Sequence, residues 1–441
     1  MKNAVKGAFA ILLVLPLVLP ITAAPVAKVK PEEVGMSSER LLRIDQMLER
    51  RIAAGQMSGA VAIVARKGKI VHLTAKGVAD LESKQSVTPA TMFRVASMTK
   101  PVTSVAVMMM IEEGKIRLND PVSRYIPEFK GQKVAVAAPA PPSETPAPAA
   151  GERGGRGGGA NAGGRGGQRG APPNFTTVAA EREVTIKDLL THVSGLSSGA
   201  MSNSTVQSIA RKPGEKLADY IPRLGTTTLE FQPGSRWAYS AQAGHDTLGR
   251  IVEIASGERL DRYLRARIFD PLAMKDITFW PTDAQWPRVA TFYRAEGGRL
   301  VKAATPNDTS SRNVYFRGSG GLYSTAEDYM PFGLMLANGG ELNGRRVLSR
   351  KSVEMMTAVH APDTLPGLPP GGAYGLSVRV VTNHALGGTL LSDGTYGWTG
   401  AQGTHFFVDP KEGVVGVLMV QTSNAELRRE FEDLVAQSVA D

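Results

Sequence analysis

Residues 93–114, FRVASMTKPVTSVAVMMMIEEG, constrain this chain more than any other segment. Beyond Lys100 the segment reads as a helix. Its apolar residues, Val102, Val105, Val107, Met108, Met109, Met110 and Ile111, fall on every side rather than on one stripe. Such a helix must be covered all round, so it belongs at the centre of a protein with other layers about it. Pro101 suits the first turn, where N–H groups have no intrahelical acceptor to lose. The chain has 441 residues. Without a leader-like N-terminus and one low-complexity stretch, roughly 380 remain, enough for one large unit or two lobes.

The ends of the chain predict the cover. Leu41, Ile44, Leu48 and Ile52 recur at helical spacing, and so do Leu427, Phe431, Leu434 and Val435. GAVAIVARKGKIVHLTAKGVAD reads as a hairpin turning at Lys67-Gly68-Lys69. GTHFFVDPKEGVVGVLMVQ reads as another, turning at Asp409-Pro410-Lys411-Glu412-Gly413. Both termini are thus strand and helix, while the middle, from about 117 to 300, reads as mainly helical. The expected class is α/β (α+β), with a lobe built from both termini and a helical lobe inserted between them. VTIKDLLTHVSGL predicts a short helix closed by Gly195.

Two segments stand outside that fold. Residues 1–23 place Lys2 and Lys6 before the apolar run GAFAILLVLPLVLPITAA, which ends in small residues. That is the layout of a secretory signal peptide, with cleavage expected after Ala23; an uncleaved anchor is the alternative. The mature chain would then be exported, periplasmic or secreted, with no stable membrane insertion. Residues 137–174 are rich in Pro, Ala, Gly and Arg, and eleven of the twenty from Gly151 to Gly170 are glycine. Such a stretch buries too little apolar surface to offset its ordering entropy, so it is expected to be a disordered surface insertion.

Composition excludes several function classes. With no cysteine, a disulfide scaffold, a zinc–thiolate site, an iron–sulfur cluster and a thiol nucleophile are all ruled out. The net charge is +10, but four of the arginines (Arg153, Arg156, Arg165, Arg169) lie in the insertion and the other basic residues are scattered. Scattered charge reads as solvated surface, not as a nucleic-acid footprint. The six histidines (His72, His192, His245, His360, His384, His405) show no ligand spacing, so neither a metal nor another cofactor is expected.

The chemistry begins with Ser97 and Lys100. Three residues apart, they share one face at the mouth of the buried helix. An amine held against apolar surface gives up its charge more readily, and a neutral amine can take the proton of a serine hydroxyl. A helix N-terminus also offers N–H groups to a developing oxyanion. Ser-x-x-Lys alone is a weak motif, but two more elements follow. In FQPGSRWAYSAQAGHDTLGRIVEIASG, Tyr239 lies between a Pro-Gly turn and an amphipathic helix, placed either as a general base or as a packed aromatic. In GTYGWTGAQGTHFFVDP, Trp398-Thr399-Gly400-Ala401 leads into a strand. Its glycines either admit a ligand close to the backbone or make a turn over a buried tryptophan. Gly195-Leu196-Ser197-Ser198-Gly199 fits the G-x-S-x-G elbow, which needs a strand before it. Here a helix precedes it.

These three elements, in this order, resemble the serine β-lactamase and penicillin-binding-protein superfamily, and more narrowly the class C β-lactamases and family VIII carboxylesterases. The resemblance runs from Met36 to the C-terminus apart from the insertion. VTIKDLLTHVSGL, FQPGSRWAYS, GSGGLYSTAEDY and GGELNGRRVLS also read like connecting motifs of that family. The resemblance implies a β-lactamase/transpeptidase-like fold, an antiparallel sheet flanked by terminal helices plus the helical lobe. It implies Ser97 as acylated nucleophile, Lys100 as its activator and Tyr239 as general base. It also implies an oxyanion hole from the backbone N–H groups of Ser97 and Ala401, with Trp398, Thr399 and Gly400 against the substrate.

Two departures point to the esterase branch. Tyr239-Ser240-Ala241 replaces Tyr-x-Asn, and Trp398 replaces the lysine of Lys-Thr-Gly. The expected function is cleavage of small carboxylic esters, with weak β-lactam hydrolysis beside it. A β-lactamase or D-amino-acid peptidase acting on amides is one alternative. A silent protein that binds cell-wall fragments or β-lactams is another, and an intact Ser97, Lys100 and Tyr239 speaks against it.

Overall fold

The computed structural model describes residues 26–138, 174–303 and 312–441. The expected signal segment 1–23 and most of the expected insertion lie outside the described residues. The centre is a seven-stranded, wholly antiparallel sheet. Its order runs Gly372–Tyr374, Arg379–Val381, Tyr396–Thr399, His405–Asp409, Val414–Val420, Gly59–Arg66, Lys69–Gly77. The first long strand of the chain therefore lies beside the last, with Ala60 opposite Val420 and Arg66 opposite Val414. Strand Gly59–Arg66 is buried on both faces, and its period-two alternation divides it. Val61, Ile63 and Ala65 enter the larger core, while Ala60, Ala62 and Val64 enter a smaller one. The turn between the first two strands holds Lys67 at φ 49° and Gly68 at φ 78°. Two successive positive φ values match the right-handed twist of a tight hairpin.

The smaller core is closed by the terminal helices Ser38–Ala53 and Ala425–Ala436. Leu41, Ile44 and Leu48 of one meet Leu427, Phe431 and Val435 of the other. Ser37 caps the first, its Oγ accepting from Arg40 N–H at 3.2 Å; Asn424 Oδ1 caps the second. On the opposite face, helix Ala326–Ala337 lies on the strands, while helix Thr99–Glu112 packs against helix Ala243–Ser256. Every residue from Thr99 to Met110 is buried, as an all-round apolar helix requires.

Between 117 and 300 the chain forms helices Ile186–Leu190, Ala200–Ser208, Leu217–Leu224, Ala243–Ser256 and Leu260–Leu264. It also forms two hairpins that periodicity did not predict, Lys133–Ala137 with Phe175–Ala179 and Tyr293–Glu296 with Arg299–Lys302. The first corrects the boundary of the expected insertion. Ala137 pairs with Phe175, and Ala138 N–H donates to Asn174 O at 3.2 Å, so 137 and 174 belong to the ladder. The short strand Phe175–Ala179 is mostly exposed and follows a glycine-rich stretch, which hides its pattern. The helix after it also ends earlier than expected. It stops at Leu190, His192 takes the left-handed turn at φ 58°, and Gly195 lies beyond the helix.

The hairpin brings Ala138 and Asn174 together, so the insertion closes on a point already fixed. Replacing 139–173 with a short Gly-Ser linker is expected to leave the melting temperature within about 3 °C and activity within about twofold, because loop length costs little once its ends are held. A fall of about 8 °C or more in a thermal melt would mean that the segment packs on the body.

Candidate active site

The turn that carries Ser97 is held from every side. Strand Phe93–Arg94 pairs with Tyr323–Ser324 and delivers the chain to a short turn, Ala96–Met98, which runs into the buried helix. Val95 N–H donates to Leu322 O at 3.0 Å, and Val95 O accepts from Thr404 Oγ1 at 3.2 Å. Tyr329 Oη donates to Met98 O at 2.8 Å, and Leu322 N–H to Thr99 Oγ1 at 3.2 Å. Between these anchors Ala96 has φ 45°, a left-handed conformation disfavoured for a residue with a Cβ. Such strain persists only where the surroundings over-determine it, and it clusters at functional turns.

Ser97 Oγ is contacted by two side chains. Tyr239 Oη donates to it at 2.7 Å and Lys100 Nζ lies at 3.2 Å. Lys100 is fully buried, and its Nζ also donates to Ala241 O at 2.8 Å and Ser319 O at 2.7 Å. An ammonium fills all three contacts with N–H groups. A neutral amine gives its two N–H groups to the carbonyls and turns its lone pair toward Ser97. The cradle thus accepts either state of the amine. Lys100 Nζ also sits 5.0 Å from the centre of the Tyr239 ring.

The structure brings Trp398, Thr399, Gly400 and Ala401 to the same turn. Trp398 and Thr399 lie inside strand Tyr396–Thr399, opposite Phe406 and His405, rather than ahead of a strand as the sequence suggested. A Cβ on Gly400 would come within 2.6 Å of Val95 O, so only glycine lets this strand end press against the serine turn. The backbone N–H groups of Ser97 and Ala401 are taken by no acceptor among the described residues, which leaves both for an oxyanion. Trp398 is half-buried in an aromatic wall, with ring centres 5.6 Å from Tyr239 and 5.1 Å from Tyr374.

Sequence reasoning missed the groups behind this wall. Arg428, from the last helix, donates to Thr399 Oγ1 at 3.4 Å. The buried Glu432 faces His405 at 2.9 Å and Arg379 at 3.0 Å. Burial alone would raise its carboxyl, but Arg379, His405 and Arg428 outweigh that and bring it down to about 2. Beneath Tyr239, His192 accepts from Ser240 N–H on Nδ1 at 3.2 Å, with its ring 4.7 Å from that of Tyr239. Burial, and then the charge of Lys100, hold His192 well below the ordinary imidazole range, so it is neutral. Ser197, in the G-x-S-x-G segment, bonds to none of these groups: its Oγ donates to Asn203 Oδ1 at 2.6 Å.

Comparison with known proteins finds relatives over most of the chain. Protein Rv1367c of Mycobacterium tuberculosis is 33% identical over 381 residues, 83% of this chain and 86% of the relative. Esterase EstB of Burkholderia gladioli is 28% identical over 406 residues, 86% of this chain and 90% of the relative. Among solved structures, EstCE1, described as a hydrolase with promiscuous acyltransferase activity, shares the fold with a TM-score of 0.71 at 23% identity, over 91% of this chain and 99% of its own. The Beta-lactamase family profile matches residues 44–440, a span that takes in the serine turn, the lysine cradle, the tyrosine and the Trp-Thr-Gly strand. Holding all of these in one continuous match, this chain belongs to the beta-lactamase family and is a serine hydrolase.

Proposed function

We propose that this protein cleaves carboxylic esters of short to medium acyl chains through an acyl-enzyme on Ser97. The observation that carries this reading is the convergence of Tyr239 Oη at 2.7 Å and Lys100 Nζ at 3.2 Å on one serine oxygen. As Ser97 Oγ attacks the ester carbonyl, its proton passes into the Lys100–Tyr239 pair. The carbonyl oxygen becomes an oxyanion between the N–H groups of Ser97 and Ala401. Collapse expels the alcohol, which takes the proton back. With its own phenolic proton passed to Lys100, Tyr239 draws one from water as the water attacks the acyl carbonyl; that proton returns to Ser97 Oγ as its acyl bond breaks and the acid leaves. The aromatic wall around Trp398 favours neutral, apolar groups, and the relation to the Burkholderia esterase supports ester chemistry. The N-terminal sequence supports export to the periplasm or the medium.

A second reading, weak hydrolysis of carboxylated β-lactams, is favoured by one observation. Arg428 puts a cation beside Thr399, although Glu432 shares its charge. Trp398→Lys separates the readings. An ion contact in a partly desolvated pocket is worth about 1–3 kcal/mol, or roughly ten- to a hundredfold. The variant is therefore expected to raise kcat/KM for nitrocefin relative to p-nitrophenyl butyrate by about that factor. Ala241, lacking the family's amide side chain, keeps the gain partial. An unchanged ratio would mean that residue 398 does not meet the substrate. A wild type that already prefers nitrocefin would overturn the ester assignment.

A further inference from the structure

Lys100 is only as well placed as the carbonyls that hold it, and one of them, Ser319 O, lies in a turn outside its helix. Asp246 performs that task. It stands in the first turn of helix Ala243–Ser256, 2% exposed, on none of the surfaces that face the substrate. Its Oδ1 accepts from Ser319 N–H at 3.0 Å and its Oδ2 from Tyr315 Oη at 3.0 Å. The other edge of the same peptide unit, Gly318 O, accepts from Thr103 Oγ1 at 2.8 Å, one turn beyond Lys100 on the serine helix. Two helices thus grip the peptide between residues 318 and 319 by both edges. The next carbonyl along the chain, Ser319 O, is thereby aimed at Lys100 Nζ, 2.7 Å away. Gly318 makes the grip possible, because a Cβ there would run into the backbone carbonyl of His245.

The residue type is informative. A buried carboxylate is costly: burial raises this carboxyl, and the charge of Arg317 with the bonds from Ser319 and Tyr315 only partly opposes that, so filling space does not explain it. A carboxylate is acceptor-only on both oxygens, and here it meets two donors, an amide and a phenol. We propose that Asp246 is a positioning residue of the serine-activating machinery: through Ser319 it sets where Lys100 Nζ lies relative to Ser97 Oγ. The inference rests on the reading that Ser97 is acylated and Lys100 activates it.

The test compares D246A, D246N and T103V with wild type on p-nitrophenyl butyrate, with kcat expressed per serine labelled to completion by a fluorophosphonate. S97A serves as the control for the functional reading. A misplacement on the ångström scale costs about a hundredfold in rate. D246A is therefore expected to lose about that factor in kcat with KM within about threefold. D246N keeps an acceptor for Ser319 N–H and is expected to return to within about tenfold of wild type. T103V, which frees the other edge, is expected to move kcat in the same direction by a smaller factor. A purely structural role would lower yield and melting temperature yet leave kcat per labelled site unchanged, and that result overturns the proposal. So does a D246N no better than D246A. If D246A fails to fold, a T103V with wild-type kcat overturns it. Turnover surviving in S97A would instead remove the functional reading, a separate outcome from D246A behaving as wild type beside a dead S97A.

Discussion

Ser97→Ala should abolish ester turnover, with a loss of at least about 10⁴-fold in kcat, since a covalent mechanism has no substitute for its nucleophile. The fold should survive. Among the described residues Ser97 Oγ engages only Tyr239 and Lys100, and Lys100 keeps both carbonyl partners, so the stability change should stay within about 1 kcal/mol. Ser197→Ala should leave most of the activity. Both serines sit at backbone positions that look special: Ala96, just before one, has φ 45°, and Ser197 itself has φ 47°. The difference lies in what surrounds each hydroxyl. Ser97 faces an amine and a phenol capable of moving its proton, whereas Ser197 donates to the amide oxygen of Asn203. An amide oxygen is no base at neutral pH, and no strand leads into Ser197 as the G-x-S-x-G elbow requires. Steady-state rates on p-nitrophenyl butyrate, with mass-spectrometric detection of the fluorophosphonate adduct, decide between them. Equal losses from the two substitutions would show that Ser197 takes part in the chemistry.

The elements that the sequence made legible are those whose physics is local. Leu41, Ile44 and Leu48 at helical spacing, the Lys67-Gly68 turn between β-rich runs, and the apolar sweep from Val102 to Met110 each constrain their own segment. Each appears where the pattern put it. The lobe expected from both termini is built by setting the first long strand beside the last, a pairing that no local pattern shows. What was hidden is non-local. The strands Gly372–Tyr374 and Arg379–Val381, at one end of the sheet, have three residues each, too short to show a period. Asp246 reaches Ser319 across 73 residues, and Arg379 reaches Glu432 across 53. A buried polar residue on an otherwise amphipathic helix looks like an exposed one until its distant partner is known. Glu432 lies on the same face as Phe431 and Val435, yet its residue type alone places it in water. The three residues that meet at the site were legible because motif order ties them together. Their cradle, the carbonyls of Ala241 and Ser319, carries no side-chain signal in the sequence.

The division of labour between Lys100 and Tyr239 gives the second large effect. Tyr239→Phe removes one hydroxyl and keeps the ring against His192 and Trp398, so the wall should stand. The loss is that of a general base, about 10³-fold in kcat/KM. Lys100→Met keeps most of the buried volume but strips the donors from Ala241 O and Ser319 O. It should cost at least as much activity, and about 1–3 kcal/mol of stability for each carbonyl left unpaired. Were the two side chains independent, the double variant would lose the product, about 10⁶-fold. They are not independent, because both grip the same oxygen and the proton that leaves Ser97 is shared between them. Once either is gone, the other has no complete path to receive or return that proton. The double variant should therefore be no more than about tenfold worse than the poorer single one, as groups that act as a unit behave. Rates per labelled serine for the four proteins, each checked by thermal melting, measure the coupling directly. Losses that multiply would show that the two side chains act independently rather than share one proton.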